Sequence, residues 1–166
     1  ANIIADRNIT GHGMIYESIG NLLLDFPENH KTPSNYYREL DLSNAVAKIT
    51  YTVDGVNYTR EVFTSLADQL IIIKISADQP GKVTFKTSFV GPLKTNRNKG
   101  PVKLVEGADN MLSVYTEGGK KTEENIPNLL HAHSLIKVVA DGGSQTAANS
   151  SLNVTDANSA CIYIST

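Results

Sequence analysis

The chain has 166 residues, of which 40% are hydrophobic, and this is enough apolar side chain for one domain with a buried core. The formal net charge is −2 and the lysines and arginines are scattered, so the sequence lacks the basic face typical of nucleic-acid-binding proteins. The longest apolar runs, such as Leu70–Ser76, are far shorter than a membrane-spanning helix, so we expect neither nucleic acid nor membrane as a partner.

Patterns typical of β-strands dominate the chain. In chain order they lie within Ile15–Phe26, Tyr36–Val53, Val56–Phe63, Leu70–Ser76, Lys82–Val90, Met111–Gly118, His131–Gly143 and Ser151–Thr166, the last holding two short strands. Turn and loop residues separate them, and the longer loops are Pro27–Asn35, Gly91–Pro101 and Gly119–Asn128. Strands that recur roughly every ten residues, with no strong amphipathic helix, predict an all-β sandwich or barrel that forms a single domain over residues 1–166.

A β-hairpin between Ile49 and Phe63 is the clearest local prediction. Apolar and polar residues alternate before and after Asp54-Gly55, and both of these residues tolerate the positive φ of a two-residue type I′ turn. Tyr51 and Tyr58 lie on either side of that turn, so we expect them to contact each other across the strands.

Two further segments have patterns that bear on burial and on helix formation. The unbroken apolar run Leu70–Ser76 predicts a strand that is buried on both faces. The segment from Ser43 to Ile49 could open a short helix with Ser43 as its cap, but the β-branched residues that follow favour a strand.

His131-Ala132-His133 is the most site-like motif. Residues two apart in a strand share a face, so both imidazoles could reach one metal ion if Asp141 or Glu124 supplied a third ligand. A His-x-His pair alone is weak evidence, so we predict no metal and no cofactor.

Two further residue types are candidates for chemistry. Cleavage of a glycosidic bond needs two carboxyl groups that face each other across a sugar. No spacing selects such a pair, and turns or solvated faces are the expected places of the acidic residues Glu39, Asp41, Glu61, Asp68 and Asp109. Cys161 lies in an apolar run and is expected to be a small buried residue of a strand. We therefore predict no catalytic residue.

Several blocks of this sequence resemble the N-terminal β-domain of glycoside hydrolase family 95, the α-L-fucosidase family. The blocks are "GNLLLDF" at Gly20–Phe26, the long and specific stretch Tyr36–Gly81, "SLIKVVADGG" at Ser134–Gly143 and the closing "VTDANSACIYIST". The matched positions in the first two are Gly20, Leu22, Leu24, Phe26, Tyr37, Arg38, Leu40, Leu42, Ala45, Tyr51, Gly55, Val56, Tyr58, Arg60, Glu61, Phe63, Ser65, Asp68 and Gln69.

The resemblance implies a large antiparallel sandwich of two sheets that precedes a helical (α/α)6 barrel in a longer glycoside hydrolase. In that family the barrel carries the catalytic acid and the asparagine-assisted base, and no family catalytic residue maps onto this chain. We therefore expect a fragment that is inactive alone, packs against the barrel of its parent chain and meets fucosylated glycans only through that parent. The resemblance also implies a periplasmic or extracellular location.

Two alternatives follow from the same residues. The chain could be an independent carbohydrate-binding sandwich, although it has no tryptophan and its seven tyrosines would have to stack on the sugar. It could also be a structural module whose exposed apolar face meets another domain, and such a face would let isolated copies form a homodimer.

Overall fold

The computed structural model describes residues 19–91, 102–106, 110–117 and 131–166. The strands are β1 (Asn21–Asp25), β2 (Ser34–Asp41), β3 (Val46–Val53), β4 (Val56–Ser65), β5 (Leu70–Ala77), β6 (Val83–Val90), β7 (Val102–Glu106), β8 (Met111–Glu117), β9 (His131–Asp141), β10 (Ser144–Ala148), β11 (Ser151–Ala157) and β12 (Ser159–Ser165). One 3-10 helix, Glu28–Lys31, follows β1. Within these ranges no helix is long and apolar enough to cross a lipid bilayer.

The strands form two antiparallel sheets of unequal width. The small sheet has the order β1-β6-β11-β10, and the large sheet has the order β2-β3-β4-β5-β12-β9-β8-β7. All neighbouring pairs are antiparallel. The prediction of an all-β antiparallel two-sheet sandwich is therefore confirmed.

The main core lies between the two sheets because alternate residues of each strand point inward. The large sheet contributes Ile75, Leu112, Val114, Ile136, Val138, Ala160 and Ile162, and the small sheet contributes Val83, Phe85, Phe89, Leu152, Val154 and Ala157. We call the face of the large sheet that carries these residues its inner face, and the opposite face its outer face.

Two of the corners at which the chain changes sheets pack against each other. Gly142 and Gly143, both with positive φ, carry the chain from β9 in the large sheet to β10 in the small one. Asn158 carries it back from β11 to β12, and its backbone N–H donates to the Asp141 carbonyl over 2.8 Å. The Asn158 side-chain oxygen accepts a hydrogen bond from the Gly81 N–H over 3.0 Å, which ties in the turn before β6.

The predicted hairpin is present as β3 and β4. Asp54 and Gly55 have φ of 49° and 76°, as a type I′ turn requires, and Val53 pairs with Val56. Tyr51 pairs directly with Tyr58, and their rings stack with centroids 5.3 Å apart.

The structure differs from the sequence predictions at several elements. The segment before β3 forms a turn with Ala45 at φ 55°, so no helix starts at Ser43. The 3-10 helix lies inside the predicted loop Pro27–Asn35, and β7 and β10 are strands that local patterns did not indicate. The prediction that Leu70–Ser76 is buried on both faces is wrong: only Ile75 of this run is fully buried, and Ile71 is 41% exposed. The small sheet covers only the inner face of β5, so Lys74 is exposed on the outer face, and Ile71 lies on the inner face but beyond the edge of that cover.

Candidate functional site

The small sheet is too narrow to cover the inner face of the large one. It has four strands against eight, and the core that it forms involves β5, β12, β9 and β8. The inner face of β2, β3 and β4 therefore extends beyond the cover. Different groups lie at the two ends of this extension: an aromatic cluster at the Asp54-Gly55 end and an exposed apolar strip at the other.

The aromatic cluster closes the hairpin end of the inner face. The 3-10 helix residue His30 packs against Tyr51 and Tyr58, with ring centroids 5.7 and 4.6 Å away, and Phe26 packs against His30. The Arg60 guanidinium carbon lies 3.7 Å from the centre of the Phe26 ring, which is a cation–π contact. These contacts join β1 and the helix to the hairpin.

Burial and a neighbouring arginine favour the neutral form of His30. Arg60 donates to the Tyr51 hydroxyl oxygen, and that hydroxyl lies 3.1 Å from Nδ1 of His30. The Tyr51 O–H can then donate to a neutral imidazole. Burial lowers the pKa of His30, the positive charge of Arg60 lowers it further, and Asp54 acts in the opposite direction. Burial likewise raises the pKa of Tyr51.

The lowered pKa of His30 predicts a loss of stability in acid. In the unfolded chain the His30 pKa has its ordinary value of about 6.5, whereas the folded domain binds the proton only at lower pH. The free energy of unfolding is therefore highest above pH 6.5 and falls as the pH drops below it. Urea unfolding at pH 7.5 and pH 5 measures this loss. His30→Gln removes the titrating group, and we expect its unfolding midpoint to change less between the two pH values. The same pH dependence in both proteins would show that His30 does not contribute.

The other end of the inner face carries an apolar strip that the small sheet does not cover. We define the inner-face strip as Leu40, Ala47, Val62 and Ile71. Leu40, Ala47 and Val62 are direct cross-strand neighbours on β2, β3 and β4, and Val62 pairs with Ile73, next to Ile71 on β5. Leu40 is 64% exposed, Ile71 41% and Val62 36%. The strip is continuous with the buried core, because Ile73 packs against it.

Two exposed leucines lie in the turns at the same end of the sheet as the inner-face strip. Leu42 lies between β2 and β3, and Leu66 lies between β4 and β5. They are 83% and 90% exposed. Large apolar side chains beside an uncovered sheet face are typical of a surface that meets another protein surface.

The outer face of the same four strands carries a row of charged residues besides the half-buried Phe63 and Ile72. Glu39 pairs with Lys48, Lys48 with Glu61, and Glu61 with Lys74, so that opposite charges alternate across β2, β3, β4 and β5. Arg60 and Glu61 lie on opposite faces, as the regular strand predicts. The contrast identifies the inner face as the candidate functional surface.

The histidine pair does not form a metal centre with the described residues. His133 Nε2 lies 2.6 Å from the Ser113 hydroxyl, and the His131 ring packs against Tyr115 with centroids 5.7 Å apart. Asp141 is at the far end of the same strand, about 30 Å away, so it cannot be the third ligand. Glu124 lies outside the described residues. Among those that are described, no three His, Cys, Asp or Glu side chains are grouped for a metal ion.

The other described residues that the sequence offered as candidates for chemistry lie in turns or in a strand. Asp41 accepts hydrogen bonds from the Ser43 and Asn44 N–H groups within its own turn, and Asp68 pairs with the Ser65 hydroxyl in the next turn. Asp109 lies outside the described residues. Cys161 is a free thiol in β12 as predicted, but it is half-buried on the outer face beside Lys74 and Val139 rather than in the core.

Exposed aromatic rings are present for the carbohydrate-binding alternative. Tyr36 and Tyr37 on the edge strand β2 are 55% and 59% exposed. Sugar binding at these rings stays a prediction. The predicted loops Gly91–Pro101 and Gly119–Asn128 lie outside the described residues apart from Gly91.

Comparison with known proteins gives the family. The sequence model for "Glycosyl hydrolase family 65, N-terminal domain" matches residues 1–166. The chain belongs to this family. The prediction of an N-terminal sandwich domain of a glycoside hydrolase is therefore confirmed, under a family 65 description where the sequence blocks resembled family 95.

This family 65 N-terminal domain is similar to parts of two known proteins. It is 44% identical over 89 residues to "Alpha-L-fucosidase 2" of Arabidopsis thaliana, and the match covers 52% of the chain and 11% of that protein. A solved structure described as "Putative kojibiose phosphorylase from human microbiome" superposes with a TM-score of 0.52 at 11% identity, covering 90% of the chain and 22% of that structure. The second likeness supports the fold alone. The domain thus spans a small part of both proteins that it matches.

Proposed function

We propose that this domain is the non-catalytic N-terminal sandwich of an α-L-fucosidase-type glycoside hydrolase. Its role is to pack against the helical (α/α)6 catalytic barrel of the same parent chain, which would bind the fucosylated glycan outside the cytoplasm. The family match and the 44% identity to an alpha-L-fucosidase over 89 residues support this proposal.

The inner-face strip is the observation that carries the docking role. Fully burying a leucine or valine side chain contributes roughly 1.5–3 kcal/mol, so covering Leu40, Val62 and Ile71, which are 36–64% exposed, contributes part of that for each of them. The outer face of the same strands, in contrast, carries glutamate and lysine side chains that alternate from strand to strand. A partner that covers the inner face leaves the outer face in water.

The environments of the acidic residues support a non-catalytic role. Two catalytic carboxyl groups need to face each other about 5–10 Å apart across a sugar. Glu39 and Glu61 each have lysine cross-strand neighbours, and Asp41 and Asp68 hydrogen-bond within their own turns. None of these four is placed opposite another across a cleft.

Hydrolysis of a nitrophenyl α-L-fucoside tests the proposed function. We expect the full-length parent to release nitrophenol and the isolated domain to give only the background rate. A galactoside of the same type is the control for sugar specificity. Turnover by the isolated domain at a rate near that of the parent would overturn the non-catalytic role, and a parent that cleaves only the galactoside would overturn the fucosidase assignment.

A further inference from the structure

The two faces of β2–β5 differ in charge as well as in polarity. The outer face carries Glu39, Lys48, Glu61 and Lys74, and each of them has a neighbour of opposite sign. The inner face of these strands carries two arginines, Arg38 and Arg60, and no carboxylate among the residues that register places there. The positive charge of the inner face is therefore not balanced within β2–β5.

Only one of the two arginines is held by its own domain. Arg60 donates to the Tyr51 hydroxyl and stacks on Phe26. Arg38 lies on the exposed edge strand β2, in the same row as Ile49 and Arg60 and one inward position from Leu40. Within the described part of the chain it has no hydrogen bond or ion pair. Its guanidinium is thus left beside the inner-face strip with its donors available.

We propose that the parent surface covering the inner-face strip carries a carboxylate that pairs with Arg38. The inference rests on the proposed docking role. A surface that covers Leu40 removes water from the neighbouring arginine, and desolvating a charge without a partner is costly. A carboxylate meets the fork of guanidinium donors with two parallel hydrogen bonds, so it is the group that best compensates for this loss.

The occupant is a segment of the parent chain outside residues 1–166 rather than a second copy of the domain. In a symmetric dimer each strip would meet the other, and each Arg38 would approach an inner face that holds arginines and no carboxylate in β2–β5. Like charges brought together in this way oppose association. The two proteins that the domain matches are much longer than the matched part, which is 11% of one and 22% of the other. A parent of similar length has room for such a segment.

Zero-length crosslinking of the full-length parent tests the proposed carboxylate. A carbodiimide joins lysine amines to carboxylates in contact but does not couple arginine, so Arg38→Lys makes position 38 reactive and keeps its charge. We expect peptide mass spectrometry to find a crosslink from position 38 to an Asp or Glu outside residues 1–166. The unsubstituted parent is the matched negative control, and Lys48, between Glu39 and Glu61 on the outer face, is the internal positive control.

The outcomes separate this inference from the docking role. Adding Leu40→Asn, which removes the apolar contact without adding a carboxylate beside position 38, to Arg38→Lys should abolish the crosslink but leave the Lys48 crosslinks unchanged. Position 38 could crosslink only within residues 1–166, or not at all, while Leu40→Glu still releases the domain from the parent. That result would support the docking role and overturn the proposed carboxylate partner of Arg38. A crosslink from position 38 between isotope-labelled and unlabelled copies would show that a second copy covers the strip, and it would overturn the inference.

Discussion

Replacing Gly143 by alanine is expected to destabilise the domain by about 2–5 kcal/mol. Gly143 has φ 64°, and a Cβ atom there would lie 2.2 Å from the Thr155 carbonyl oxygen and 2.5 Å from the Asp156 carbonyl carbon. The left-handed conformation costs an alanine about 1–2 kcal/mol, and forcing packed atoms apart costs about 1–3 kcal/mol more. Both clashing atoms are backbone, so no side chain can move aside, and the two corners between the sheets must separate.

Gly55→Ala is the matched control for this prediction. Gly55 also has positive φ, 76°, but nothing lies within 4 Å of the Cβ that alanine would add. We expect it to cost only the strain of the left-handed conformation, about 1–2 kcal/mol. Urea unfolding of both variants measures the difference. Equal free energies of unfolding for the two would show that the corner at Gly143 opens readily and that its close packing does not stabilise the sandwich.

Leu40→Glu is expected to weaken docking of the domain in the full-length parent by at least about 2 kcal/mol, which is roughly thirtyfold in the docking equilibrium constant. The substitution removes apolar contact and places a charge in a surface that we propose is covered. Because Leu40 is 64% exposed in the domain itself, the isolated chain should unfold at an unchanged urea concentration. Limited proteolysis and thermal unfolding of the parent report the loosened domain.

Tyr37→Glu on the same strand controls for the position and the charge. Tyr37 is 59% exposed, close to the value for Leu40, but it pairs with Thr50 on the outer face. We expect it to leave the parent unchanged. If the two variants loosened the parent equally, the edge of the sheet and not its inner face would be the docking surface. Light scattering of the isolated chain adds a second readout, since loss of the apolar strip should reduce any self-association.

The sequence predicted the parts of the fold that depend on local patterns. The turn at Asp54-Gly55 fixes the register of β3 and β4, so the contact between Tyr51 and Tyr58 follows from spacing alone. Alternation within Lys82–Val90 likewise puts Val83, Phe85 and Phe89 on one face, which is the inward face of β6. These predictions needed no knowledge of which strands lie on the opposite layer.

The parts that failed depend on that opposite layer. The apolar run of β5 predicts burial on both faces, but no second sheet covers its outer face, where Lys74 is exposed. Ile71 lies on the inner face, at the end that the small sheet does not cover. The position of Arg60 on Phe26 joins residues far apart in sequence, so no local pattern indicates it. A short strand such as β10, with mostly small and polar residues, has a weak period and is recognised only through its pairing with β11.

The candidate docking surface was not predicted as a site, although a signal for it exists. Alternation places Leu40, Ala47 and Val62 on one face, but it cannot say that the small sheet ends before reaching them. Leu42 and Leu66 give the clearer signal of an exposed apolar surface, because large apolar residues are unusual in turns, which are mostly polar. The width of the two sheets had to be known before these leucines could be read as part of one surface.

Hydroxyl-radical footprinting of the isolated domain and of the full-length parent tests the docking of the inner face most directly. The method measures how readily solvent reaches individual side chains. We predict that oxidation of Leu40, Leu42 and Leu66 falls strongly in the parent, whereas oxidation of Tyr37 on the outer face is the same in both. Equal oxidation of the three leucines in the two proteins would show that the strip stays in water, and the proposed role of the domain would be contradicted.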